Sequence, residues 1–352
     1  MSNKKITFIL GGLAKGGAER VVNNLSNHLV LEGYDIDIIT LLNDTVDYNF
    51  DSSINIINYS KLNKKYSNLL FYWFKNLHNY FKKNPERTII SFFVKINLIT
   101  ILSSIGCKNK LIVSERSDPF SDGRNPIYNI LSKLLYKKCN YVVLQTKQIA
   151  SNFYKVFGDR IKVIPNPIQF YEEYSNINPK ENLIISVGNL KEAKNYSMFI
   201  DAINLSKNYL KDYKVIIYGE GELRKTLETK ITEYHLEDII HLPGRVDNIQ
   251  KAIYKAKLFI LPSNYEGMSN ALQEALSLGL CCISTDCLGA NELIKEDVSG
   301  IIIPRNNPIE LSHQINTLID DDKKRLLLGK NAYIYSKNFS IEKISNLWKE
   351  IL

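Results

Sequence analysis

"LFILPSNYEGMSNALQEALSLG", residues 258–279, reads as a strand, a short loop and a helix. Leu258–Leu261 is an unbroken apolar run stopped by Pro262, the pattern of a strand buried on both faces. Asn270 with Gln273 three positions on resembles a capping box, and Gly279 follows the last helical turn as a helix-ending glycine. A strand that leads through a loop into a helix is the building unit of a parallel α/β sheet. These assignments occupy Asn270, Gln273 and Gly279 but leave Glu266 in the loop without a structural task.

The unit recurs along the chain. "KITFIL", "DIDIITLL", "TIISFF", "LIVSE" and "YVVLQ" read as strands in the first half; "NLIISVG", "KVIIYG", "IIHLPG", "LFILPS", "CCIST" and "GIIIP" read as strands in the second. At 352 residues the chain exceeds the size at which one core keeps growing. The expected fold is α/β with two Rossmann-like domains built on parallel sheets. Their expected limits are 1–168 and 181–335, separated by a linker at 169–180 that is rich in asparagine and proline. A terminal helix at 336–352, with Ile341, Ile344, Leu347, Trp348 and Ile351 at helical spacing, is expected to pack back toward the first domain.

Composition narrows the function classes. With 45% hydrophobic and 23% charged residues, this is the make-up of an ordinary soluble protein. Residues 1–170 carry 23 Lys and Arg against 12 Asp and Glu (+11), and residues 171–352 carry 22 against 25 (−3), so the positive excess lies wholly in the first half. A one-sided basic domain suits anionic partners. Five cysteines, an odd number with no C-x-x-C, point to reduced core packing rather than disulfides or zinc. "MSNKKITFILGG" is too short for a signal-peptide core and runs straight into a glycine loop, as a first strand does. The longest apolar stretch, 88–106, is interrupted by Lys95 and Asn97 and reads as a strand followed by a helix rather than a membrane span.

Parallel sheets bind ligands beyond the carboxyl ends of their strands, so the loops there carry the chemistry. Gly11, Gly12, Gly16 and Gly17 follow the first strand and precede a helix, where glycine lets a ligand approach the backbone and the helix N-terminus offers N–H groups to an anion. The Gly11 to Gly16 spacing imitates a phosphate-binding loop, but Gly17 and Ala18 stand where Lys and Ser or Thr are required, and there is no G-x-G-x-x-G; ATPase and dehydrogenase readings both weaken. In "SVGNLKEAKN", Gly188 ends a strand and Lys194 sits beside the next helix start. Gly219, Gly221, Gly244 and Arg245 stand at further strand ends. Each loop alone is explained by a tight turn; four on one rim are not. Glu266 in the loop and Glu274 one turn inside the helix both reach a ligand at the helix mouth, where the N–H groups of Gly267, Met268, Ser269 and Asn270 face a diphosphate.

"GGAER", "VIPNP", "VGNLKEAKN" and the Glu266 to Glu274 element, in their order and separation, resemble the GT-B glycosyltransferases of family 4 over nearly the entire chain. The resemblance implies two Rossmann-like domains facing across a cleft and a retaining transfer from a nucleotide sugar, a UDP-linked hexose or N-acetylhexosamine, with most donor contacts in the second domain. It assigns the donor sugar's hydroxyls to Glu266, the ribose to Glu274, the diphosphate to Lys194 with Gly188 and Asn189 beside it, the phosphates or acceptor side to Gly16 and Gly17, and the base to Arg245 and Val246 through their backbone. Glu266 and Lys194 are the expected catalytic residues. It also implies same-face attack in which the departing phosphate helps to deprotonate the acceptor, so Glu266 positions the sugar and is not a nucleophile. Two departures stand out: Asn189 replaces the usual Arg, and Glu115 and Arg116, after what reads as the fourth strand, replace a common His. Those two are placed on the acceptor side, and no general base is assigned.

No metal or other cofactor is expected. "DID" at 35–37 matches a metal-binding Asp-x-Asp, but strand alternation accounts for it better. The segment 64–83 carries lysine pairs at both ends, a stripe of Leu70, Phe74, Leu77 and Phe81, and a second face of Tyr66, Tyr72, Trp73, Lys75 and Tyr80. With Lys133, Lys137 and Lys138 it suits an anionic membrane surface and a lipid-linked oligosaccharide acceptor, hence a peripheral place on the cytoplasmic face. No motif supports nucleic acid. The alternatives are a UDP-sugar epimerase or phosphorylase-like enzyme of the same fold, and a non-catalytic nucleotide-sugar or anionic-lipid binding protein.

Overall fold

The computed structural model describes residues 4–14, 16–60, 66–116, 124–171, 173, 180–246 and 248–352. The chain forms two compact units, Met1–Pro167 with Ile341–Leu352, and Ile168–Ser340.

The first unit is built on seven parallel strands: β1 (Lys5–Leu10), β2 (Asp35–Thr40), β3 (Asn55–Asn58), β4 (Thr88–Phe92), β5 (Leu111–Ser114), β6 (Tyr141–Leu144) and β7 (Ile161–Val163). They lie in the order β3-β2-β1-β4-β5-β6-β7, with Phe8 of β1 in register between Ile38 and Ile90. Growth of the sheet reverses between β1 and β4, the point where such sheets open a crevice at their carboxyl ends. The helix Gly17–Leu31 buries Val22, Leu25 and Leu29 against the sheet, and the terminal helix Ile341–Lys349 packs beside it, sealing the same core with Ile344 and Trp348. That terminal element starts five residues later than expected, because Lys337–Phe339 forms a separate tight turn within the second unit. Helices Tyr66–Lys83, Val94–Ser103 and Pro126–Leu135 pack in a row, each on the next.

Two strands escape the sequence reading. β3, "NIIN", is a four-residue edge strand that is mostly exposed, so it lacks both length and alternation. β7 has three residues and is followed closely by Pro165. The presence of β3 makes the strand before Glu115 the fifth, not the fourth.

The second unit has six parallel strands, all expected: β8 (Glu181–Val187), β9 (Lys214–Tyr218), β10 (Ile240–Gly244), β11 (Ala256–Leu261), β12 (Cys281–Thr285) and β13 (Ile301–Ile303). Their order is β10-β9-β8-β11-β12-β13, which puts the reversal between β8 and β11. Alternate residues serve opposite faces. Ile184, Leu258 and Ile260 join helix Tyr196–Ser206 in one core, while Ile185, Phe259 and Leu261 join helix Asn270–Ser277 in the other. Ile168 and Phe170 already belong to this unit: the Ile168 N–H donates to Phe339 O at 2.7 Å, and the Phe170 ring stands edge-on to Tyr333. Of the expected linker, residues 172 and 174–179 lie outside the described residues.

The stretch 88–106 is β4 followed by helix Val94–Ser103. Among the described residues no helix is long and apolar enough to cross a membrane. All five cysteines are free thiols, and burial pushes Cys281 up to about 12 and Cys287 up to about 11.

Candidate functional site

The loops after β8 and β11 are neighbours, and the helices that follow them leave on opposite faces of the sheet. Their backbones are stitched together. The Asn264 N–H donates to Ala193 O at 2.9 Å, and the Asn195 amide donates to Asn264 Oδ1 at 3.0 Å and Asn306 Oδ1 at 2.8 Å. Asn195 itself is left-handed, φ 49°, a conformation asparagine tolerates better than most residues. This turn brings the Lys194 ammonium onto the Glu266 carboxylate as an ion pair, and Ser263 Oγ donates to the same Glu266 oxygen at 3.1 Å. Gly188 makes the approach possible: a Cβ there would stand 2.8 Å from Tyr196 Oη and 3.1 Å from Lys194 Cε. Burial, with the Glu266 charge adding to it, raises the Tyr196 phenol, so that hydroxyl stays neutral.

Glu266 opens the loop that enters helix Asn270–Ser277. The cap of that helix is Ser269, whose Oγ accepts from the Leu272 N–H at 3.4 Å; the expected Asn270–Gln273 box is corrected, with Asn270 as the first helical residue. Gln273 instead turns its amide to Met268 Sδ, which is buried with it. The side chains of Met268 and Ser269 therefore build the helix start, and any ligand contact from them is left to the backbone. Gly267 is pinned from behind: a Cβ on Gly289 would fall 2.0 Å from Gly267 O and 2.8 Å from Met268 Cα. Glu274 sits one turn in and is only 5% exposed. Gly279 has φ 67°, as its helix-ending place requires.

Arg245 and Val246 follow β10, two strands from β8 on the same rim, about 10 Å away by strand spacing. Gly244, φ 94°, turns the chain there and accepts the Gly219 N–H at 2.8 Å. Beside it Arg224 pairs with Glu220 at 2.6 Å, and the pull of Arg224, with a smaller contribution from Arg245, lowers the Glu220 carboxyl. The structure thus brings Gly188, Lys194, Glu266 and the Gly267–Asn270 backbone to one mouth, with Asn189 adjoining and Arg245–Val246 farther along the rim.

The first unit has its own cavity, about 360 Å³, at the reversal between β1 and β4, lined by Gly11, Gly12, Glu19, Asn43, Lys95 and Arg124 among others. Phe93, just after β4, is held at φ 71°, and backbone strain in a bulky residue beside a cavity marks a site under constraint. For Gly16 and Gly17 the expectation left the phosphates and the acceptor side both open. Gly16 exchanges hydrogen bonds with Tyr48 Oη, and the Glu19 carboxylate folds back so closely that a Cβ on Gly16 would lie 2.3 Å from it. Glu19 accepts from the Ala18 and Glu19 backbone amides, yet burial outweighs them and raises its pKa. A helix end already holding a carboxylate repels phosphate and suits a hydroxyl donor instead. Glu19 was not singled out from sequence, although its place at the third helical position is where a glutamate reaches back to its own helix end.

Glu115 and Arg116 are committed to internal contacts of the first unit. Glu115 is 2% exposed, binds Arg124 at 3.0 Å and accepts from Tyr136 Oη, which in turn accepts from Asn97 at 3.0 Å. Arg116 donates to Asn166 at 2.8 Å and lies over the rings of Phe92 and Trp348, while burial lowers its pKa. Asp35 and Asp37 both bind Arg87, at 2.7 and 3.2 Å, at the amino end of β2, away from the ligand rim. The face of 64–83 is also revised: Trp73 donates to Tyr59 O at 3.1 Å and Tyr80 donates to Asp37, so both point inward, while Leu70, Phe71, Phe74 and Lys75 are exposed. Residues 64 and 65 and the Tyr66 side chain lie outside the described residues.

Residues 168–335 match the family described as glycosyl transferases group 1, and residues 15–170 match glycosyltransferase family 4. The chain is 31% identical, over 99% of its length and 98% of the relative's, to the Campylobacter jejuni enzyme named GalNAc-alpha-(1->4)-GalNAc-alpha-(1->3)-diNAcBac-PP-undecaprenol alpha-1,4-N-acetyl-D-galactosaminyltransferase. It is 28% identical, over 97% of both chains, to the N-acetylgalactosamine-N,N'-diacetylbacillosaminyl-diphospho-undecaprenol 4-alpha-N-acetylgalactosaminyltransferase of the same organism. Among solved structures, a TarM variant from S. aureus in complex with UDP superposes with a TM-score of 0.84 at 14% identity, covering 100% of this chain and 99% of that one.

Proposed function

The chain belongs to the GT-B glycosyltransferases of family 4, the group 1 glycosyl transferases, and from that premise we propose that it moves a hexose or N-acetylhexosamine from a UDP-sugar, with retention, to a lipid-linked oligosaccharide at the cytoplasmic leaflet. The observation that carries this reading is the Lys194–Glu266 pair at the mouth of helix Asn270–Ser277. On donor binding the two exchange each other for the two ends of one ligand: the ammonium turns to the diphosphate and the carboxylate accepts hydroxyls of the sugar. The backbone amides of Gly267–Asn270 add the positive end of the helix against the same leaving charge. Asn189 brings no second cation, so Lys194 and the helix end carry that stabilisation alone. The bond from the anomeric carbon to the departing phosphate breaks, the bond to the acceptor oxygen forms on the same face, and the acceptor proton passes to the departing phosphate oxygen. Glu19 and Asn43, in the first unit's cavity, suit the acceptor's hydroxyls.

The names of the two Campylobacter relatives support an undecaprenyl-diphosphate acceptor, and the UDP held by the S. aureus neighbour supports the nucleotide. With both aspartates of "DID" engaged by Arg87, the motif is spent on the fold, and transfer is expected to persist in EDTA. Full loss with rescue by magnesium or manganese contradicts that. The deciding experiment measures UDP release with and without an undecaprenyl-diphosphate oligosaccharide, and the product anomer by NMR. Release without acceptor points to hydrolysis or epimerisation, and no release points to a binding protein. A trapped glycosyl adduct on Glu266 overturns the positioning role.

A further inference from the structure

Helix Pro126–Leu135 is built inside out. Ile127, Ile130, Leu131 and Leu134, at i, i+3, i+4 and i+7, form one stripe and are 54%, 60%, 36% and 60% exposed, while the residue turned into the protein is Ser132. A helix covering a core in water does the reverse, hiding its apolar stripe and showing polar residues. Its neighbours extend the anomaly. It packs on Val94–Ser103, which packs on Tyr66–Lys83, and on the latter Phe71 is 69% exposed. None of the three helices contains an Asp or Glu. They carry Lys75, Lys82, Lys83, Lys95 and Lys133, and Lys137 and Lys138 follow at once in the turn Tyr136–Lys138.

An apolar stripe of this size marks an interaction surface. We propose that helix Pro126–Leu135 is an in-plane anchor for an anionic bilayer, its four aliphatic side chains sunk into the acyl boundary and Lys133, Lys137 and Lys138 held among the headgroups. A protein partner would need acidic groups set around an apolar strip, whereas a leaflet supplies both layers at once: hydrocarbon for the stripe and a continuous negative surface for helices whose charged residues are all lysine. Lysine stems lie along the boundary while their ammonium groups stay in water. Ten residues give a rod about 15 Å long, too short to span and suited to lying flat. The anchor rests on the proposal of a lipid-linked acceptor, which it brings within reach of the enzyme. It differs from attraction by charge alone, because insertion survives salt that screens lysines.

The test is flotation with vesicles of phosphatidylethanolamine and phosphatidylglycerol, and with phosphatidylcholine alone, at low and high salt. The wild type is expected to float with the anionic vesicles and to stay partly bound in high salt. The double variant Ile130→Ser/Leu134→Ser is expected to lose at least ~10-fold in partitioning, with an unchanged circular dichroism spectrum. The triple variant Lys133→Gln/Lys137→Gln/Lys138→Gln is expected to lose the preference for anionic lipid. Both are expected to keep wild-type turnover on a short-isoprenoid, water-soluble acceptor, so a failed anchor is told apart from a failed transferase assignment. Equal flotation of wild type and the serine variant overturns the proposal, as does wild type left in the aqueous fraction. So does a concentration-dependent dimer that the serine variant dissolves, since a second copy would then cover the stripe.

Discussion

Glu266 and Lys194 hold each other in a partly buried pair with Ser263, so either can be changed without opening a core. Glu266→Gln is expected to lower kcat by ~10²–10³, the range for removing one positioned electrostatic contact, with little change in thermal unfolding. Unfolding instead of inactivity would assign Glu266 to the fold. Glu19 allows a test by pH. Burial raises its pKa in the folded state, so the native protein binds more protons than the unfolded chain above the ordinary carboxylate range, and stability falls as pH rises through that window. Glu19→Gln removes the penalty. Its melting temperature relative to wild type is expected to climb from acid toward neutral pH, and a constant difference would place the carboxylate in water. Glu266 was legible because nothing in capping or packing used it; the third helical position of Glu19 signals the fold-back, but not the burial that raises its pKa. The partners of Glu115, Arg124 and Tyr136, could not be read from the sequence, since tertiary packing brings them in.

At the scale of elements, apolar runs flanked by glycine or proline identified eleven of the thirteen strands among the described residues, and β3 and β7 escaped because three or four residues cannot display a period. The helix after Glu266 was placed correctly but its cap was misread by one residue, since Ser269 and Asn270 are equally good caps and only φ and ψ decide between them. The close approach of this helix mouth to its neighbour depends on Gly289 of helix Leu288–Leu293, which has no side chain to hold it off. Gly289→Ala must push the Gly267–Met268 backbone away, because no real Cβ stands 2.0 Å from a carbonyl oxygen. The expected result is a loss of UDP-sugar affinity measured by calorimetry, larger than that of Gly106→Ala, whose Cβ meets nothing within 4 Å although its positive φ carries strain of its own. Equal affinities would mean that the loop shifts freely and is not a fixed cradle. The basic, aromatic helix Tyr66–Lys83 shows the limit of helical periodicity: it located a stripe, but not which side the neighbouring elements would cover.

For the molecule as a whole, the doubling of the α/β pattern was plain from length and strand count, and the basic excess of the first half has its counterpart in three helices without an acid. Less legible was that the last helix completes the first core rather than merely resting on it: Trp348 is fully buried there, against Phe92. Trp348→Ala is expected to cost the first unit ~3–5 kcal/mol, splitting thermal unfolding into two transitions of which only the lower moves. A single transition shifted as one would show that the two units melt together. The same feature sets an order of events during synthesis. The ribosome makes Ile168–Ser340 before it makes Ile344 and Trp348, so the second unit can close while the first, though begun earlier, still lacks part of its core. The half that starts first is completed after its neighbour, and until Ile341–Lys349 has been made the first core lacks the side chains of Ile344 and Trp348.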